Sequence, residues 1–189
     1  MTSRSLAFAL ALSAGAAISL PAVSIAVEKP VASEKNPPGD IPDTQVFVDY
    51  QGAGVTMKVP EGWARADEAN GAIFSDKYNR VELTTQTTAS SPSVSSVTSH
   101  EAKDLVAGGR AVKIIAVKEV KLDGGRAVRV DYSANSEPNA VTSKQIRLEE
   151  VRFYLRGPSG KLAVLDMSAP NGADNVDQWN LMSNSLRVQ

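Results

Sequence analysis

Few side chains in this sequence could do chemistry, and each has a plain structural reading beside the chemical one. His100 is the single histidine, so any imidazole relay or histidine-built metal site rests on it. Thr98-Ser99-His100-Glu101 reads as a capping box, with Thr98 as N-cap and Glu101 at the third helical position. That places His100 in a solvated first turn of a helix, with no partner motif to make it a proton donor. Glu149 and Glu150 are adjacent in a strand-like run. On a strand they point to opposite faces, so they do not form a paired acid–base site. Asp174 and Asp177, with Asn171 and Asn175, are oxygen donors that suit calcium, but the EF-hand spacing is missing and helix capping explains them. Gly108-Gly109-Arg110 and Gly124-Gly125-Arg126 resemble each other. Neither carries the P-loop lysine pattern, and both read as turns. No G-x-S-x-G nucleophile elbow occurs among the many serines. The Ser/Thr-rich run from Thr84 to Ser99 could bear sugars; more simply it is a strand edge and a loop. No residue is therefore assigned as catalytic, cofactor-binding or metal-binding, and no cofactor is expected.

Composition narrows the classes further. There are no cysteines, which excludes disulfides, thiolate zinc sites and a cysteine nucleophile. The 20 basic and 21 acidic residues nearly cancel, so the chain lacks the basic excess of a nucleic-acid binder. Its 189 residues suit one domain, and 42% hydrophobic content suits a folded one.

The elements that must position these residues follow an amino-terminal segment of a different kind. Arg4 precedes an uncharged apolar run from Leu6 to Leu20, then Pro21 and Ala22-Val23-Ser24-Ile25-Ala26. This is the pattern of a secretory signal, with Ser24 and Ala26 at the small positions before a cut after Ala26. The rival reading is an uncleaved anchor, since the uncharged run from Ser5 to Val27 is long enough to span a bilayer. A lipid anchor would need a cysteine. Either reading places the rest of the chain outside the cytoplasmic membrane. Residues 27–44 hold four prolines and little apolar content, and are expected to be a linker. The alternative is an arm packed along the domain with Ile41 as its anchor. The domain then runs over 45–189.

Within it, strands are expected at Gln45–Tyr50, Val55–Pro60, Ala72–Ser75, Arg80–Thr88, Val112–Leu122 and Arg126–Ala134. Pro60-Glu61-Gly62-Trp63 closes the second, with Trp63 as a lid on the core edge. Ala89–Ser96 reads as a loop, followed by a helix to Ala107 that Gly108 ends. Asp123-Gly124-Gly125 reads as a hairpin turn. The last forty-odd residues form a long hairpin, Gln145–Gly157 and Lys161–Ala169, followed by one amphipathic helix. Apolar phase changes at Glu149-Glu150, so a bulge is expected there to keep one inner face. Lys161–Ala169 is apolar on both faces and is expected at the centre of the sheet. In the last helix Val176, Trp179, Met182 and Leu186 form one stripe, with Asp174 as N-cap.

These features together resemble the PsbP/Mog1-like superfamily, which includes PsbP-like and LpqN-type envelope proteins. The residues that carry the likeness are Gly54-Val55 opening a strand, Pro60 and Trp63 in the turn, Phe74-Ser75-Asp76, and Ala169-Pro170 leading to a helix with Trp179. The resemblance covers residues 45 to 188. It implies an α+β fold, an antiparallel sheet flanked by helices as an α/β/α sandwich. It also implies a noncatalytic binding or accessory role, not an enzyme's, and carries no photosynthetic function with it. The function expected is that of an exported protein docking an envelope protein or envelope lipid, with membrane contact only through an uncleaved N-terminal segment and no nucleic acid. The alternatives are a hydrolase using His100 and a chaperone-like shield for apolar segments.

Overall fold

A computed structural model describes residues 28–189; the expected signal segment and its cleavage site lie outside the described residues. The elements follow as β1 (Phe47–Gly52), β2 (Val55–Pro60), β3 (Ala64–Glu68), β4 (Gly71–Asp76), β5 (Asn79–Thr87), α1 (Val94–Ser99), α2 (Glu101–Ala107), β6 (Lys113–Leu122), β7 (Gly125–Asn135), β8 (Arg147–Arg156), β9 (Lys161–Pro170), α3 (Val176–Ser185) and β10 (Arg187–Val188). Among the described residues the strands form two antiparallel sheets. One has three strands in the order β1-β2-β10, and the other has seven in the order β3-β4-β5-β9-β8-β7-β6. β9 is the middle strand of the large sheet, as its two apolar faces require.

One core lies between the large sheet, α3 and the small sheet. Val151, Phe153, Leu165 and Met167 meet Trp179, Met182 and Leu186 there, with Met57 and Val59 from β2. A second, smaller core lies on the opposite face. Val128, Val130, Tyr132 and Tyr154 are covered by Val97 of α1 and Leu105 of α2. Helices therefore flank the large sheet on both sides, and the small sheet helps α3 to cover one of them.

Several expectations change. The bulge is not at Glu149: β8 pairs with β7 and β9 in unbroken register. The phase change is real, but both faces of β8 are covered, so Val151, Phe153 and Leu155 serve one face while Leu148, Glu150 and Tyr154 serve the other. The irregularity sits in edge strand β6, between Ile114 and Ala116, and leaves Ile115 64% exposed. β3 escapes the sequence pattern because its side chains are all exposed, so no alternation marks it. Arg65 and Asp67 pair along this outer edge, a charged border that discourages another strand from adding. Val176, assigned to the buried stripe, is exposed, and Trp179, Met182 and Leu186 carry the contact.

The helical region begins earlier than expected. Ser93 caps α1, its hydroxyl accepting from Ser96 N–H while Ser96 Oγ accepts from Ser93 N–H. Thr98 lies inside α1 and donates to Val94 O. His100 is the break between α1 and α2.

Residues 28–44 lie along the domain instead of standing off as a linker. Ile41 is buried in the main core. Its N–H donates to Asn175 Oδ1 at 2.6 Å, and its carbonyl accepts from Gln178 Nε2 at 3.1 Å. Asn175 also donates to Gly39 O. Further back, Asn135 Oδ1 accepts from Val31 N–H and Asn135 Nδ2 donates to Lys29 O. Prolines suit such an arm, because it pairs with side chains and needs few backbone donors. Asn175, not Asp174, occupies the N-cap of α3, and its amide is turned to the arm instead of the helix.

Candidate functional site

The helices α1 and α2 are short and shelter only part of their face of the large sheet. Beyond them, the same face carries two polar ranks across the central strands. In one, Tyr132 of β7 stands opposite Glu150 of β8, which faces Ser168 of β9, which faces Arg80 of β5. In the next, Arg152 of β8 stands opposite Asp166 of β9, which faces Glu82 of β5. Residues directly opposite in an antiparallel pair project to one side, so these side chains share one face, and all but the buried Tyr132 form the floor of a cleft. The β7–β8 loop and the β4–β5 turn rise beside it, and the open cleft measures about 940 Å³. Tyr78, Lys77 and Lys144 are exposed on its walls, and Glu34 of the arm reaches it.

Asp166 is the hub. Its Oδ2 accepts from Arg152 Nε at 2.6 Å and from the Tyr132 hydroxyl at 2.8 Å, and a second guanidinium nitrogen touches the same oxygen. The Arg152 guanidinium lies 5.9 Å from the centre of the Tyr132 ring. The other oxygen, Asp166 Oδ1, is buried and has no hydrogen-bond partner. Glu150 Oε1 is also buried without one. The cation beside it is Arg110, whose Nη1 lies 3.7 Å away, and Arg110 is shared with Glu137 at 3.6 Å. Arg80 is committed to Glu82 at 2.8 Å.

Burial sets the proton affinities. It pushes the Asp166 carboxyl above the usual range, against the pull of Arg152 and Tyr132. Burial and then the nearby Asp166 charge push Glu150 upward as well. The Tyr132 hydroxyl is raised by burial and then by Asp166 and Glu150, so it stays a donor at every ordinary pH. Desolvation disfavours the charged form of Arg152, but the Asp166 charge and hydrogen bond together with Tyr132 and Tyr154 outweigh it, and the net direction is upward. The floor thus holds two carboxylate oxygens, Asp166 Oδ1 and Glu150 Oε1, that are buried without a hydrogen-bond partner.

The architecture can be set beside solved structures. The solution structure of cyanobacterial PsbP (CyanoP) from Synechocystis sp. PCC 6803 aligns with a TM-score of 0.57, covering 80% of this chain and 98% of that one at 16% identity. The Saccharomyces cerevisiae Ran-binding protein Mog1p aligns with a TM-score of 0.51, covering 77% of this chain and 96% of that one at 10% identity. The chain has the PsbP/Mog1-like fold. The sequence matches no family model and no curated protein sequence, so the likeness is one of shape.

On this PsbP/Mog1-like frame the residues weighed from sequence fall in different places. His100 is exposed at the α1–α2 break; its Nδ1 lies 3.0 Å from Ser96 O and 3.1 Å from Ser99 Oγ, and it does not line the cleft. Asn171, Asp174 and Asn175 serve the arm: Asn171 donates to Ser33 Oγ, and Asp174 N–H donates to Asp40 Oδ1. Among the described residues no group of three or more His, Cys, Asp or Glu side chains is arranged to hold a metal ion. Glu149 and Glu150 do face opposite sides of the sheet, as expected, and only Glu150 joins the cleft. Gly108 and Gly109 do end α2, and Arg110, which follows them, reaches into the cleft. Sequence reasoning missed Asp166, Arg152 and the Arg80–Glu82 pair. The available signal was charge at alternate positions of strands whose other residues are those of a core, where unpaired charges rarely sit.

Proposed function

We propose that this chain is an exported accessory protein of the cell envelope that performs no chemistry itself and docks a polypeptide partner in the polar cleft. The observation that carries this reading is the cleft floor, where Asp166 and Glu150 each present a buried acceptor oxygen with no partner. The fold supports it in a general way, since Mog1p, which shares the shape, is a Ran-binding protein. A protein segment fits the lining better than an envelope lipid, because most lining residues are charged, amide or hydroxyl side chains that an acyl chain would cover without hydrogen-bonding. Export rests on the signal pattern of residues 1–26.

The test is site-specific photocrosslinking in the native host. A photoreactive phenylalanine at Tyr78 or Thr142 reports on the cleft, and the same group at Lys103 of α2 or Val48 of β1 serves as a control. The same partner should be captured from both cleft positions and not from the controls. Capture from the controls alone, or equally from all four, would overturn the reading. N-terminal sequencing of the envelope fraction addresses export: a start at Val27, or an intact chain held in the membrane, supports it, and recovery only from the cytoplasm does not.

A further inference from the structure

Glu150 is the least satisfied charge on the cleft floor. Its side chain is only 6% exposed, yet Oε1 accepts no hydrogen bond. Arg152 hydrogen-bonds Asp166 and Arg80 pairs with Glu82; the cation within ion-pair distance of Glu150 is Arg110, and at 3.7 Å it is outside hydrogen-bond range. Asp166 offers its own unpartnered Oδ1 one register step away, diagonal to Glu150 on the adjacent strand. Diagonal neighbours of this kind are about 7–8 Å apart at the backbone, within reach of one another's side chains.

We propose that this corner of the cleft receives a cationic nitrogen group, a guanidinium or alkylammonium, which donates to Glu150 Oε1 and Asp166 Oδ1. The inference rests on the reading of the cleft as a partner site and names what the partner inserts. Both unfilled atoms are acceptors, so the entering group must be a donor. A neutral hydroxyl or amide would fill the geometry but leave the Glu150 charge without a hydrogen-bonded counter-ion in a dry site, which is costly. A metal ion is disfavoured because the Arg152 guanidinium already lies against Asp166. The exposed ring of Tyr78 on the cleft wall adds a face on which a cation can rest. The same nitrogen chemistry can arrive on an arginine or lysine side chain or as a free polyamine, so the experiment separates the two.

The full chain is titrated by calorimetry with three probes. These are a capped Gly-Arg-Gly peptide, the same peptide with citrulline in place of arginine, and spermidine. The arginine peptide should bind at least tenfold more tightly than its neutral isostere. Glu150→Gln should reduce arginine-peptide affinity at least tenfold and erase the difference from citrulline. Arg110→Met removes the competing cation and should strengthen binding, which guards against a Glu150→Gln effect that comes only from altered folding. Spermidine binding that depends on Glu150 in the absence of peptide binding would keep the cation assignment and overturn docking of a polypeptide. Equal affinity for arginine and citrulline, an unchanged Glu150→Gln protein, or no binding of any probe at millimolar concentration would overturn the cation assignment. Crosslinking from Tyr78 that persists unchanged in Glu150→Gln would show that the cleft reading survives that loss.

Discussion

A buried carboxyl with a raised pKa weakens the fold whenever it is ionised, and Glu150 is such a group. Folded Glu150 holds its proton to higher pH than the unfolded chain does. Its contribution to stability is therefore complete below the ordinary glutamate range and is lost as pH rises through the raised folded value. Glutamine keeps the shape and cannot ionise. Glu150→Gln should leave the melting temperature nearly unchanged at pH 4 and raise it at pH 8. A variant that melts lower at both pH values would show that the glutamate is a structural acceptor instead. Asp166 behaves differently because Arg152 depends on it. Asp166→Ala would leave a sheltered guanidinium uncompensated, and chemical denaturation should record a loss of about 3–5 kcal/mol. Legibility at this scale was partial. The opposite facing of Glu149 and Glu150 follows from the period of a strand, and the sequence shows that directly. That Glu150 would meet Tyr132, Arg110 and Asp166 depends on which strands become neighbours, and spacing along the chain does not contain that information.

Elements that bury one face were readable, and so was β9, whose two apolar faces marked it as central; β3 and β8 were read less well. β3 has no buried face and left no pattern; β8 has two and suggested a bulge that its register does not contain. The split helix shows a related limit. The sequence pattern points to Thr98 as the cap, whereas Ser93 caps α1 and so sets Val97 inside a formed turn from which it enters the second core. The last helix was placed correctly through Trp179, Met182 and Leu186, all in the main core. Trp179→Ala should cost about 3–5 kcal/mol, and an unchanged denaturation midpoint would contradict the packing described. Ser93→Ala removes one cap from a short helix and should cost about 0.5–2 kcal/mol, detectable by the same measurement.

Across the whole molecule, the arm of residues 28–44 ties the end of the large sheet at Asn135 to α3 at Asn175 and Gln178. Composition marked it as a linker because it is polar and proline-rich. Only the side-chain amides waiting for it elsewhere in the chain make it part of the domain, and their role is invisible until the fold brings them together. Ile41→Ala should cost about 2–5 kcal/mol if the arm is a working part of the core, and a linker would give no change on denaturation. Among the described residues no helix is long and apolar enough to cross a membrane. The strand order has a kinetic consequence. β5 must wait for β9 to pair on its inner side, and β2 must wait for β10, so both sheets stay open until the far end of the polypeptide is available. Early hairpins alone are marginal in water, and distant pairing is slow. A chain that emerges N-terminus first would thus complete neither sheet until β9 and β10 have arrived, its late partners acting as a built-in delay.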